Sequence, residues 1–467
     1  MVTDNGFLSF RNSQQTEVRG TLMHLTRNQV VFEVYNPYSI VQLSEVLSDL
    51  RIRRGERTLY HGRAVVSNLV NTGLMLITSA TLVDPWSDLA EFETSTDLSS
   101  DITAFVDDWN TANSQLLPPF QLAVSKLRNF LEELSRWVDQ GETAGGLRED
   151  QADDERQRAF VDTIEHGCIE QLSQLYGAFE AEARQVPSEI ATAHRAFAQR
   201  ELHPLTLCAP FVHRTFSKPL GYAGDYEMVN MILRDPTEGS SSYARLINRL
   251  YLKLGPAEAH RNRIARLQEI LRTEARRVQS AGQTFRALNI GCGPAHELQG
   301  LAATESWLAD ADIELLDFNQ ETLEHARVGI AAAAATKGFT PGTRFTHKSI
   351  HELLKDASPR RGSVTPERRY DLVYCAGLFD YLSDKVCQRL LKLFVAMTKA
   401  GGLVVTTNVH PANPIRCNME YLLEWHLIYR DESAMQTIAP PGHANTVYPE
   451  DTGLNVFLET RLADLLE

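Results

Sequence analysis

The sequence predicts an α/β protein in which a mostly parallel sheet fills the C-terminal part, behind a helical region and a small N-terminal β-barrel. Three textures carry this reading. Short β-rich runs crowd the first 85 residues, apolar residues at helical spacing fill the next hundred, and from Phe285 onward apolar β runs alternate with helical segments.

In the first texture the runs are Val18 to Leu25, Gln29 to Tyr35, Arg57 to Leu69 and Gly73 to Leu82, parted by the polar turns Thr26-Arg27-Asn28 and Asn71-Thr72-Gly73. Several strands at close spacing suggest a small antiparallel barrel. In the second, Val124, Leu127, Phe130, Leu131, Leu134 and Val138 mark one of at least three helices, and the acidic, glycine-bearing stretch from Gly141 to Asp154 reads as a loop or linker. In the third, strands are expected at Arg286 to Ile290, Ile313 to Asp317, Arg344 to Thr346, Tyr370 to Cys375, Gly402 to Asn408 and Asn455 to Thr460. The resulting division is 1–85 barrel, 86–200 helical region, 201–284 helical lid or connector, and 285–467 sheet domain.

The 467 residues include 46 Lys+Arg against 60 Asp+Glu, a net charge of -14 that would repel a phosphate backbone, so no nucleic-acid partner is expected. Cys168, Cys208, Cys292, Cys375, Cys387 and Cys417 form no CxxC pair, which argues against a zinc knuckle or a disulfide framework and for a reducing cytoplasm. No metal site is expected. No run of about 18 apolar residues exists, and the N-terminus lacks the order of a signal peptide, so neither a transmembrane segment nor export is expected.

Ala287-Leu288-Asn289-Ile290-Gly291-Cys292-Gly293-Pro294 is an apolar strand entering a glycine turn, followed by His296-Glu297 at a helix start. Glycine at 291 and 293 lets backbone approach a ligand closely. The next strand ends at Asp317, close to the roughly 20-residue spacing at which an acid meets ribose hydroxyls. A dinucleotide site would want a third glycine where His296 stands, and Glu297 would repel a pyrophosphate.

The GCGP turn, Asp317, the Tyr370–Cys375 strand and the Gly401-Gly402-Leu403-Val404-Val405 strand together resemble the Rossmann-like sheet of class I S-adenosylmethionine (SAM) dependent methyltransferases. The resemblance implies SAM as cofactor and S-adenosylhomocysteine (SAH) as product. It implies that Gly291, Cys292 and Gly293 pass under the methionine part, with Asn289 and Glu297 beside it. Asp317 would hold the ribose, flanked by Phe318 and Asn319, and Ser349 and Ile350 would lie by the adenine. Asn289 departs from the acid that family usually has there.

Two further stretches stand out: Phe211 to Glu227, containing KPLGYAGDYE, and Asn408-Val409-His410-Pro411-Ala412-Asn413-Pro414 with the helix expected over Met419 to Arg430. In that helix Tyr421, Glu424, Trp425 and Ile428 would share one face. The first stretch reads as a lid or as a solvated connection, and His410 and Tyr381 as site residues or as core. With the GLFDYL string, these stretches resemble a bacterial family linked to 3-hydroxy fatty acid methyl ester biosynthesis, the extracellular-factor type of quorum signal. That resemblance implies methylation of an acyl carboxylate. Arg214, Lys218 or His410 would then position the acid, with Asn408 at the same strand edge, while Tyr222, Tyr381 and Trp425 exclude water. For a hydroxyl or amine acceptor, His410, Asp225 or Glu424 would be the base. Other readings are a protein or non-lipid acceptor, and an interaction protein with a vestigial cofactor site.

The barrel resembles a degenerate PilZ-type domain. The arginine motif that would clamp cyclic di-GMP is absent before His24, and His24 to Gln29 replaces its second motif, so a scaffold or docking role is expected. A homodimer through the helical or barrel region is a further expectation.

Overall fold

The computed structural model describes residues 6–35, 41–54, 57–72, 75–84, 102–103, 106–107, 109–110, 113–147, 154–356 and 370–463. Strands β1 (Phe7–Arg11), β2 (Glu17–Leu25), β3 (Gln29–Tyr35), β4 (Val46–Arg54), β5 (Arg57–Asn71) and β6 (Met75–Leu82) close a barrel in the order β1-β2-β3-β6-β5-β4. Alternation sets its interior: Val30, Phe32 and Val34 of β3 point inward with Phe10, Leu50 and Ile52. The sequence analysis did not find β1 and β4. The first is only five residues long, and in β4 a register shift between Leu47 and Leu50, with Asp49 at φ +48°, breaks the alternation. Gly73, expected in a turn and at the start of β6, lies outside the described residues.

Helices α1 (Pro118–Ala144), α2 (Asp154–Ala183) and α3 (Ala191–Thr206) form the helical region. The stripe Val124, Leu127, Leu131 and Val138 is buried in one cluster with Val161, Ile164, Leu172 and Phe179 of α2. Part of the expected loop is helical: α1 runs through Gly141 to Ala144, because Glu142 is buried and accepts a hydrogen bond from the Ser242 amide (2.6 Å). The rest of that stretch, 148–153, lies outside the described residues. Four helices follow, α4 (Pro210–Ser217), α5 (Tyr226–Leu233), α6 (Ser242–Leu252) and α7 (Gly255–Ser280).

The C-terminal sheet contains β7 (Arg286–Ile290), β8 (Asp312–Asp317), β9 (Thr343–His347), β10 (Tyr370–Cys375), β11 (Thr398–Val409), β12 (Ala444–Pro449) and β13 (Asn455–Arg461) in the order β12-β13-β11-β10-β7-β8-β9. Strands β7 to β11 pair in parallel, whereas β13 runs antiparallel to both β11 and β12. Counted from the N-terminus this is 3-2-1-4-5-7-6 with the seventh strand reversed, the Rossmann-like arrangement of class I methyltransferases. Every residue of β10 is buried, as expected of a central parallel strand covered on both faces. The covering helices are α8 (His296–Thr304) and α9 (Gln320–Ala335) with α7 on one side, and α10 (Ile350–Asp356) and α11 (Asp384–Met397) on the other. Strand β12 escaped the sequence reading because it is a half-exposed edge with few apolar residues.

One expected helix is absent. Only α12 (Arg416–Leu422) forms; Glu424 adopts φ +47° and the following segment is neither helix nor strand up to α13 (Glu432–Ile438). Two backbone bonds hold that segment in place of helical ones, from Ile428 N to Asp380 O (2.7 Å) and from Arg430 N to Val409 O (3.1 Å). Glu424, Trp425 and Ile428 therefore share no helical face with Tyr421.

Candidate active site

The carboxyl ends of β7, β8 and β10 open into a cleft, the place where parallel α/β sheets take ligands. After β7 the chain turns through Gly291 (φ +66°) and Gly293 (φ +53°), conformations that a Cβ disfavours. The Gly291 and Cys292 amides donate to Leu316 O (2.8 and 3.1 Å), which fastens the turn to the end of β8. A Cβ at Gly293 would meet nothing within 4 Å, so the turn faces open space.

Asp317 sits beside this turn, 6% exposed. Its carboxylate accepts from the Gly293 amide (3.1 Å) and the Asn319 amide (3.0 Å), leaving lone pairs toward the cleft. Burial pushes its pKa up while those amides pull it back. Phe318 and Ile350 line the cleft, whereas Asn319 and Ser349 do not. Their side chains cap helices: Asn319 accepts from the Thr322 amide (3.0 Å), and Ser349 forms a reciprocal capping box with Glu352.

Asn289 and Glu297 form one buried unit. The Asn289 amide donates to Glu297 Oε1 (3.0 Å), and the Tyr374 hydroxyl donates to the same oxygen (2.9 Å). A carboxyl group thus stands beside the first strand's end after all, supplied by α8. Burial raises Glu297 to about 7, against the Tyr374 bond, the Arg263 charge and the Asn289 bond.

Tyr222 and Tyr381 both line the cleft. The Tyr222 ring packs edge-on against Phe318, centroids 5.0 Å apart. The Tyr381 hydroxyl accepts from Trp425 Nε1 (2.9 Å) and donates to Ala223 O (3.3 Å). A Cβ at Gly224 (φ +77°) would lie 3.1 Å from that hydroxyl, so the glycine of the KPLGYAGDYE stretch permits the close approach. Tyr222, Ala223, Gly224 and Tyr226 of that stretch line the cleft.

Several expected site residues are not brought there. Arg214 and Asp225 pair with each other (2.9 Å), and Asp225 also caps α5 by accepting from the Met228 amide (2.9 Å). Lys218 is 3% exposed and donates to Leu423 O (2.8 Å); burial lowers its pKa to about 7. Asn408 bonds Ile428 O and Arg430, and His410 accepts from the Ala412 amide and approaches Glu432 (3.2 Å). Glu424 is 1% exposed beside His426 (2.9 Å) and Gln199 (2.8 Å); burial works against its charge, yet Arg195, His426 and Gln199 hold it down at about 2. These six side chains are already engaged in holding the fold together and do not line the cleft.

The cleft holds a cation that the sequence analysis missed. Arg263 of α7 is 8% exposed and faces the cleft, where its Nη2 donates to His260 Nδ1 (2.9 Å). No carboxylate lies within 4 Å of the guanidinium among the described residues, and Gly377 (φ +90°) is glycine where a Cβ would come 3.2 Å from it. Burial lowers the Arg263 pKa, with Asp380 and Tyr381 opposing, and drives His260 well below the ordinary imidazole range. The available signal was position: Arg263 falls in the buried stripe of α7 with Leu267, Ile270 and Glu274.

No family model matches the chain. Among solved structures, a possible exported protein from Bordetella parapertussis is 16% identical, with 54% of this chain and 86% of that one covered and a TM-score of 0.41. Magnesium protoporphyrin IX methyltransferase from Synechocystis, solved with SAH, is 10% identical over 45% of this chain and 87% of its own, TM-score 0.31. The N-methyltransferase NodS from Bradyrhizobium japonicum, also solved with SAH, is 15% identical over 51% and 97%, TM-score 0.31.

Proposed function

We propose that the chain is a SAM-dependent methyltransferase whose acceptor is the carboxylate of a 3-hydroxy fatty acid, with a methyl ester and SAH as products. The observation that carries the cofactor reading is the Gly291–Gly293 turn locked to Asp317 at the mouth of a cleft that also holds the Arg263 guanidinium, which has no carboxylate partner among the described residues. When bound, SAM supplies an electrophilic methyl group on a sulfonium. Asp317 would accept the ribose hydroxyls, and the open face of the glycine turn leaves room for the methionine part.

The acceptor reading rests on the resemblance of the KPLGYAGDYE, GLFDYL and NxHPxNP stretches, and the lining is compatible with it. Phe211, Met228, Val229, Ile232, Leu423 and Leu427 offer apolar wall for a chain. Two cations line the cleft, Lys348, which pairs with Asp356 (2.6 Å), and Arg263, which has no carboxylate partner among the described residues and so takes the place of Arg214 and Lys218 as the cation for an acceptor carboxylate. A carboxylate is ionised at neutral pH, with a reference pKa near 4.3, so transfer to it requires orientation and exclusion of water more than a base. Tyr222, Tyr381 and Trp425 would do the excluding.

The test is a series of 3-hydroxy acids from C8 to C18 incubated with the protein and SAM, read by mass spectrometry for methyl esters and SAH. Efficiency should rise several-fold per methylene, from about 0.8 kcal/mol for each one buried, until the cleft is full. No ester at any length, with SAM bound, would move the acceptor to a protein or a non-lipid molecule.

A further inference from the structure

The cleft is not built by the sheet domain and its lid alone. Ser13, Gln14, Gln42, Leu43 and Glu45 of the N-terminal barrel line it together with Gly291, Asp317 and Tyr222. These residues come from the β1–β2 turn and from the loop entering β4, brought together by Glu45. The Glu45 carboxylate is 3% exposed and accepts from the Ser13 amide (2.8 Å), the Ser13 hydroxyl and the Gln42 amide (2.8 Å), so the two segments form one edge.

Two seams join that edge to the segments that cover the cleft. The Val46 amide donates to Gly221 O (2.8 Å), and a Cβ at Gly221 would lie 3.6 Å from Ser13. Gly221 directly precedes Tyr222, whose ring meets Phe318 next to Asp317. On the other side the Ser44 hydroxyl donates to His426 O (2.8 Å) and accepts from the His426 amide, one residue from Trp425. Ile428 packs against the barrel core. The barrel therefore touches both covering segments within one residue of a side chain in the cleft. The side-chain amides of Gln14 and Gln42 make no hydrogen bond among the described residues, although each is half-buried at the cleft.

We propose that the barrel is a wall of the methyl-acceptor chamber, with Gln14 and Gln42 deciding what fits there. A detached ligand-binding module would present its edge to solvent; this edge is sealed against the lid by hydrogen bonds on both sides and faces inward. The proposal rests on the methyltransferase reading above, since it needs a cofactor at the Gly291–Asp317 end.

The experiment uses the intact chain and calorimetric titration with three ligands: SAH, sinefungin, and sinefungin bearing an n-octyl group on the amine that stands where the transferable methyl would be. The octyl group probes the chamber without any assumption about the natural acceptor. In the wild type it should tighten binding over sinefungin by at least about ten-fold, given roughly four-fold per fully buried methylene. Gln42→Trp and Gln14→Trp, on separate segments, should each bind SAH within about two-fold of wild type, which reports that they fold, and should lose the octyl gain. If both keep it, or if the wild type shows none, the barrel is not a wall of the acceptor chamber. If the wild type binds neither SAH nor sinefungin, the cofactor reading fails, a distinct result that removes this inference as well.

Discussion

Asp317 serves two purposes at one position, because the carboxylate that faces the cleft also holds the Gly293 and Asn319 amides and so shapes the turn beneath a ligand. Glycine turn and acid were both legible in the sequence, since strand, turn and strand-end acid lie close along the chain. Arg263 was not, because α7 carries many arginines, and only the fold shows which one faces the cleft with His260 as its partner and no carboxylate within reach among the described residues. Glu297 offers a pH test at the same scale. Folding raises its carboxyl from 4.5 to about 7, so the folded state holds the proton more tightly and this group's contribution to stability falls as pH rises through that window. Glu297→Gln keeps an oxygen for Asn289 and Tyr374 but cannot ionise. Melting temperatures of the two proteins, compared from about pH 5 to about pH 7.5, should shift in the variant's favour as pH rises; parallel curves would show that Glu297 is not held protonated.

The stretch after β11 shows where element-level reasoning failed. Tyr421, Glu424, Trp425 and Ile428 have helical spacing, yet the helix stops at Leu422, and tertiary contacts decide the rest. Arg430, 2% exposed, donates to Phe379 O (2.8 Å), Leu382 O (2.6 Å), Asn408 Oδ1 (2.7 Å) and Asp384 (2.7 Å), tying the non-helical segment to the stretch after β10 and to β11. None of these partners is within a helical turn of it, so no local pattern announces them. Arg430→Ala leaves the Asn408 amide oxygen without its donor and takes a charged donor from Phe379 O, Leu382 O and Asp384, and should cost on the order of 3 kcal/mol in urea unfolding. A loss below about 1 kcal/mol would mean that the segment is held by Ile428 and Trp425 instead.

At the scale of the molecule, the barrel, the helices and the order of texture along the chain were legible, because alternation and helical spacing are local. How the parts meet was not: Val46 with Gly221 and Ser44 with His426 are pairings between distant residues that no spacing encodes. The barrel turn expected to lack a nucleotide clamp is closed on itself, the Thr26 amide donating to Gln29 O (2.8 Å). A ligand with two phosphates needs paired arginines, so titrating the intact chain with cyclic di-GMP should give no saturable signal, and micromolar binding would contradict this account.

The proposed SAM site is the cleft at Gly291, Gly293 and Asp317. Calorimetric titration of the intact protein with SAM, alongside Asp317→Ala, tests it directly. A single saturable site is expected in the wild type, weakened in the folded variant by about 1.5–3 kcal/mol, the scale of hydrogen bonds to a charged group. No saturable heat in the wild type, or an unchanged dissociation constant in the variant, would contradict it.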